Sequence, residues 1–250
     1  MRKSGWSKII MLKTILGFGI TTIALFLFIP IGFLAFILSL LGLRKAMSWA
    51  VYKIAQAWAR SIVFITGCKA EVVGLNNIPK QGGVCFVSNH VGIFDIVFAI
   101  AFIGRPFGFI AKKELLYFPF LNIGIFLLGC LFLDRKNIKK AMKTIERGTN
   151  RLRKGEAILI FPEGTRSKGK GLLPFRPGAL KLATNSLVPI IPMAISGSYE
   201  VFERDFRVHK VPVRIVFCPP INTAEMNPDE RRHVLLEQVR SSIDGALVKF

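Results

Sequence analysis

From Ala70 onward the chain alternates short strand-like runs with segments of helical period, and few folds accept that pattern. The runs are AEVVG (70–74), VCFVS (84–88), FGFIA (107–111), CLFLD (130–134) and AILIF (157–161), followed by VPIIPMAIS and VRIVFC. Most are apolar at successive positions, so both faces must be buried. That predicts an α/β fold, a largely parallel sheet covered by helices on both faces. Helices are expected from about Ile93, over 137–153, over roughly 178–186, and from Asn227, with 118–128 apolar enough for another. Asn227, Pro228 and Glu230 have the N-cap, N1 and N3 chemistry of a helix start. In 137–153 the spacing assigns Ile138, Met142, Ile145 and Leu152 to one face. Lys136, Lys140, Lys143, Arg147 and Arg151 fall on a solvated one.

The 250 residues suit one such domain plus an appendage. The appendage is the N-terminus. Residues 14–43 contain no charge, yet Arg2, Lys3, Lys8 and Lys13 precede them and Arg44, Lys45, Lys53 and Arg60 follow. The first acidic residue is Glu71. A straight helix of that length would run about 45 Å against a hydrocarbon core of about 30 Å. Positive charge on both flanks favours both ends on the cytoplasmic face of the cell membrane. With Pro30 and Gly32 at the centre, the reading is a two-helix monotopic hairpin in one leaflet, the alternative being a single tilted span. Residues 44–66 are expected to form an amphipathic helix with Met47, Ala50, Ile54, Trp58, Ile62 and Ile65 on its apolar face. The division expected is a membrane anchor over 1–66 and an α/β domain over 67–250.

Lys and Arg total 35 against 15 Asp and Glu, a formal net charge of +20. Such an excess implies an anionic partner: a phospholipid surface, a phosphorylated substrate or an acidic carrier. Nucleic acid fits less well, because no zinc-finger spacing, RNP-like motif or basic tail is present. Cys68, Cys85, Cys130 and Cys218 form no CxxC pair, and three sit in strand-like runs, as buried reduced thiols do. With three scattered histidines they supply no metal-ligand cluster, so neither metal nor cofactor is expected.

In parallel sheets, ligands bind beyond the carboxyl ends of the strands. Asn89–His90 follows Ser88, Lys112–Lys113–Glu114 follows Ala111, Asp134–Arg135 follows Leu133, and PEGTR (162–166) follows Phe161. If these strands are parallel, one edge collects a histidine, two kinds of carboxylate and several cations. Within VSNHVGIFDIVF, His90 and Asp95 are five residues apart, about 140° round a continuous helix. They can touch only if His90 precedes the helix and Asp95 reaches back from its first turn. That is the geometry of a general base oriented by a carboxylate. It is also that of a buried histidine satisfied by a neighbour, and the pattern alone leaves both open. No G-x-S-x-G nucleophile accompanies it. A base without a nucleophile points to direct attack by a substrate hydroxyl or by water. In the glycine-bearing turn after Phe161, Gly164, Thr165 and Arg166 can cradle phosphate through backbone N–H groups, a hydroxyl and a guanidinium. Glu163 is expected to orient Arg166 or to bind a substrate hydroxyl.

Taken together, NHVGIFD, GCLFLDR, FPEGTRS and VPIIPMAI resemble, in order, the four sequence blocks of the glycerophosphate acyltransferase superfamily. The resemblance is most nearly to its lysophosphatidate acyltransferases. PFRPGALKLA and AKKEL fit as well, although Arg176 stands where the family often has lysine. The resemblance implies a membrane enzyme of phospholipid biosynthesis. His90, held by Asp95, would deprotonate the sn-2 hydroxyl of lysophosphatidate, which would attack a thioester of acyl carrier protein or coenzyme A. Arg166, Arg135 and Lys112 would hold the acceptor phosphate. Other acceptors (glycerol-3-phosphate or a lyso-aminolipid), a lipid thioesterase or phosphoesterase, and a non-catalytic membrane adaptor are the competing readings.

Overall fold

The computed structural model describes residues 11–17, 19–23, 26, 30, 34, 37–38, 44–118, 121–176 and 178–248. All seven expected strands are present: β1 (Lys69–Val73), β2 (Val84–Ser88), β3 (Gly108–Lys112), β4 (Leu131–Leu133), β5 (Ala157–Ile160), β6 (Ile190–Ser196) and β7 (Pro212–Phe217). They form one sheet in the order β1-β7-β6-β2-β5-β3-β4. From β6 to β4 every neighbouring pair is parallel; β7 lies antiparallel to β6 and parallel to β1. The carboxyl ends of five strands therefore share one edge, with β2 and β5 at its centre.

The described helices are α1 (Arg44–Thr66), α2 (Phe94–Phe102), α3 (Leu121–Leu127), α4 (Ile138–Arg153), α5 (Lys181–Ser186), α6 (Ser198–Phe202), α7 (Pro228–His233) and α8 (Leu235–Val248). Successive residues of the central strands feed opposite cores. Phe86, Leu159, Ile191 and Ile195 join α1 and α2, whereas Cys85, Val87, Ile158 and Ile160 join α4, α5 and α8. Each large apolar side chain so buried contributes about 1.5–3 kcal/mol, which is why β2 is apolar at four of its positions. The helix start at Asn227 has both halves of a capping box with Glu230.

Two expected helix faces are corrected. On α1, Ile62 is buried and Trp58 and Ile65 are half-buried, as on the expected face, but Ala50 and Ile54 are exposed and Val51, Tyr52, Ala55, Gln56, Ala59 and Thr66 are buried instead. Ala55 and Ala59 let α2 approach closely. The polar heads are satisfied by carbonyls at the end of α2, which no helical partner reaches. Tyr52 Oη donates to Ile100 O (3.1 Å) and accepts from Gly104 N (3.0 Å), and Gln56 Nε2 donates to Ala101 O (3.3 Å). On α4, Ile138 and Met142 are exposed, and the inner face is Ile145, Gly148, Thr149 and Leu152. A Cβ at Gly148 would lie 2.3 Å from Leu182 Cδ1, so α4 meets α5 through its C-terminal half. Arg151, expected in solvent, pairs with Glu156 (2.5 Å) and donates to Gly129 O (2.5 Å).

Most of 14–43 lies outside the described residues; of the two residues at the expected break of the hairpin, Gly32 is outside them and Pro30 is helical. Among the described residues no helix is long and apolar enough to cross a membrane. Lys13 Nζ donates to Thr66 O (3.3 Å) at the end of α1.

Candidate active site

β2 is flanked by β6 and β5, and its last turn of chain is extended by a side chain. Asn89 Nδ2 donates to Ile195 O and Asn89 Oδ1 accepts from Ile195 N, both at 2.8 Å, imitating one more rung of the ladder. His90 then leaves the sheet. Its Nδ1 lies 2.7 Å from Asp95 Oδ2, with Asp95 in the first turn of α2. The same oxygen accepts from Val91 N (2.6 Å) and Gly92 N (3.0 Å), so the carboxylate folds the whole turn back on itself. Asp95 Oδ1 accepts from Ser198 Oγ. With four donors on a fully buried carboxylate, the imidazole proton sits on Nδ1, and Nε2 is left as acceptor. The ring stacks on Phe161, with centroids 4.1 Å apart.

The turn after β5 is stitched to this one. Ser167 N donates to His90 O (2.7 Å) and Lys168 N to Val91 O (3.0 Å). Glu163 is buried and not turned toward Arg166. Its Oε1 accepts from His90 N (2.7 Å) and its Oε2 from Leu173 N (3.2 Å). The expectation that Glu163 orients Arg166 is thus corrected: it holds the backbone on which His90 stands. Burial raises its pKa, and the two N–H donors oppose that shift. The residue that does pair with Arg166 is Glu203 (2.8 Å), just past α6, whose other oxygen accepts from Ile93 N (2.8 Å). One carboxylate therefore ties the start of α2 to the guanidinium after β5. Gly92 lies where a Cβ would be 3.2 Å from that carboxylate and 3.1 Å from Tyr199 Cα.

Beside His90 opens a cleft of about 1070 Å³. His90, Lys112, Arg135, Gly164, Thr165 and Arg166 all line it, together with Lys168 and Arg176. Most of the rest of its wall is apolar, with Trp58, Phe94, Val97, Ile125, Leu128 and Ile145 among the contributors. Arg135 donates to Gly164 O and Arg176 Nε to Glu163 O (3.2 Å), so both guanidiniums are folded over the turn. Gly164 has φ +70, and a Cβ there would sit 2.6 Å from Arg176 Nε and 3.2 Å from Arg135 Nη1. Burial, and then the charge of Arg176, lower the pKa of Arg135, a strain that a bound anion would relieve. Asp134 belongs elsewhere: it pairs with Lys113 (2.8 Å), while Asn137 caps α4.

Ser198 and Glu203 were not singled out from sequence. Both come from the segment after β6, the fifth strand to end at this edge.

A family model described as Acyltransferase matches residues 69–196. The probable 1-acyl-sn-glycerol-3-phosphate acyltransferase of Mycoplasma pneumoniae is 34% identical over 185 residues, 69% of this chain and 69% of the relative. The 1-acyl-sn-glycerol-3-phosphate acyltransferase of Escherichia coli K12 is 34% identical over 185 residues, 71% of this chain and 75% of the relative. Among solved structures, the 1-acyl-sn-glycerophosphate (LPA) acyltransferase from Thermotoga maritima superposes with TM-score 0.82 at 25% identity, covering 100% of this chain and 97% of that one. The matched region runs from β1 to the end of β6 and so contains His90, Asp95 and the turn after β5; this chain belongs to the acyltransferase family.

Proposed function

We propose that the chain is a 1-acylglycerol-3-phosphate O-acyltransferase, which transfers an acyl group from a thioester to the sn-2 hydroxyl of lysophosphatidate and yields phosphatidate. The observation that carries this reading is the His90–Asp95 pair at the wall of a cleft lined both by cations and by a large apolar surface. The names of the relatives support the same acceptor. His90 Nε2 takes the proton as the hydroxyl oxygen attacks the thioester carbonyl. The tetrahedral oxyanion collapses, the C–S bond breaks, and the departing thiolate receives the proton from the imidazolium. Asp95 stabilises the imidazolium between the two transfers. Arg166, Arg135 and Lys112 hold the acceptor phosphate, and the apolar wall takes acyl chain. The donor is acyl carrier protein or coenzyme A, whose shared reacting group is the thioester. Purified protein given lysophosphatidate and acyl thioester should release thiol and phosphatidate in equal amounts. Thiol release that ignores the acceptor would make it a thioesterase instead.

Arg166→Ala should raise the acceptor's KM roughly 10–100-fold, the worth of a charge-assisted hydrogen bond, and leave the thioester's KM nearly unchanged. Lysine should not restore it, because a point charge does not replace the guanidinium fork. Glu203→Gln should act in the same direction but less, since Arg166 loses its tether and keeps its charge. An unchanged acceptor KM in Arg166→Ala would remove the phosphate assignment.

For a lipid substrate the site belongs at the membrane surface. Residues 1–66 form the anchor, a hairpin in one leaflet with both ends on the cytoplasmic face. Residues 67–250 form the catalytic domain, on which the inner face of α1 is docked. In oriented vesicles, Lys3→Cys and Lys69→Cys should be labelled from the same side by an impermeant reagent. Labelling from opposite sides would establish a single crossing.

A further inference from the structure

We infer that the segment joining β3 to β4 is a second membrane contact, one that belongs to the catalytic domain itself and opens the cleft into lipid. This rests on the reading of the chain as a membrane-surface acyltransferase and adds to it a second surface with its own residues.

From Leu115 to Leu133 no residue is charged. That run is not a span: it is broken into a 3-10 turn ending at Tyr117, the seven-residue α3, and β4. Its apolar side chains are divided between two sides. Leu115, Ile125 and Leu128 line the cleft. Tyr117 and Phe126 point outward at 79% and 71% exposure, and Leu116 and Phe118 are exposed with them, while Leu121 is 38% exposed and also lines the cleft. A cleft wall that is apolar on both sides fits a setting where its outer side also meets something apolar.

Charge identifies what that is. β3 and β4 are parallel, with Lys112 opposite Leu133, so the chain leaves β3 and, after the crossover, leaves β4 at the same active-site edge. Lys112 ends β3 there, followed by Lys113 and Glu114, and Asp134, Arg135, Lys136, Lys139 and Lys140 follow β4; Lys113 pairs with Asp134, which leaves five exposed cations against Glu114. An aromatic and aliphatic patch rimmed by Lys and Arg matches acyl chains beneath anionic headgroups. A second copy of the chain would set two positive rims against each other, in a protein whose net charge is +20.

The test uses the full-length protein and phosphatidylcholine–phosphatidylglycerol vesicles. Tyr117→Glu and Phe126→Glu replace the two most exposed of the described side chains of the patch, so the melting temperature should not move. Turnover of acceptor embedded in vesicles should fall about tenfold or more, and turnover of a short-chain acceptor dissolved as monomer should stay within about twofold. A bimane label on Tyr117→Cys should be quenched by nitroxide-bearing lipid, whereas the same label on Glu225→Cys should not. The inference falls if both acceptors lose activity equally, or if the label at 117 is unquenched on protein that floats with vesicles. It also falls if the wild type shows a concentration-dependent dimer that Tyr117→Glu abolishes, which would give the patch to a second copy. If the wild type does not float at all, the membrane reading fails together with it. Flotation without quenching at 117 leaves that reading standing on the N-terminal anchor alone.

Discussion

A His90→Ala protein should fold like its parent and transfer acyl groups about 10²–10⁴-fold more slowly, the usual consequence of removing a positioned base. The fold is expected to survive because the imidazole is a surface feature of its cleft. Its side chain keeps 19% exposure, its contacts are Asp95 and the Phe161 ring, and the turn around it is held by backbone bonds that alanine retains. His90 N still donates to Glu163, and His90 O still accepts from Ser167 N. The loss should appear in kcat, with the acceptor's KM nearly unchanged, because the cations of the cleft are untouched. Turnover within twofold of the parent, in protein with an unchanged melting temperature, would remove the base from the mechanism. Loss in KM alone would make His90 a binding residue.

Much of this site was legible in the sequence, for a local reason. Strands apolar on both faces announce a parallel sheet, and a parallel sheet delivers the residues after each strand to one edge. His90, Lys112, Arg135 and Arg166 converge on those grounds alone. The five-residue spacing to Asp95 could be read because a helix forbids the contact and a turn permits it.

What stayed hidden was set by partners distant in the chain. The second oxygen of Asp95 is met by Ser198, 103 residues on, and Ile93 N by Glu203, 110 residues on. Neither pairing leaves a period or a motif. Glu163 lies three residues from Arg166 in the same turn, yet its carboxylate is taken by the backbone N–H groups of His90 and Leu173, 73 residues before it and 10 after it. The inner face of α1 escaped an apolar template because Tyr52 and Gln56 are buried with their polar atoms spent on the end of α2. On α4 the template put Ile138 and Met142 inside, but only the half of the helix carrying Gly148 reaches α5.

Asp95→Asn should cost about 10³–10⁴-fold in kcat while leaving His90 in place, which separates orienting the base from being the base. In the parent, Asp95 Oδ2 receives Nδ1 of His90 and the N–H groups of Val91 and Gly92, and Oδ1 receives Ser198 Oγ. Every partner is a donor. Asparagine offers one oxygen and an NH₂ group, so in either orientation one of the two positions loses its acceptor. If the amide oxygen stays on the Val91 and Gly92 N–H groups, it also keeps Nδ1, and the NH₂ meets Ser198, whose hydroxyl can rotate to accept. If the amide turns, its NH₂ faces Nδ1, the imidazole proton moves to Nε2, and the ring can no longer accept the proton of the attacking hydroxyl. In both orientations the negative charge that stabilises imidazolium is gone, so the protonated state costs more even where the tautomer is right. An unmet buried donor costs about 1–3 kcal/mol, so the melting temperature should fall somewhat as well. The decisive comparison is therefore kcat against acceptor KM in folded protein. A kcat lowered by orders of magnitude with KM steady assigns Asp95 to the base. A kcat within severalfold of the parent, despite a lowered melting temperature, would leave Asp95 as a brace for the turn and nothing more.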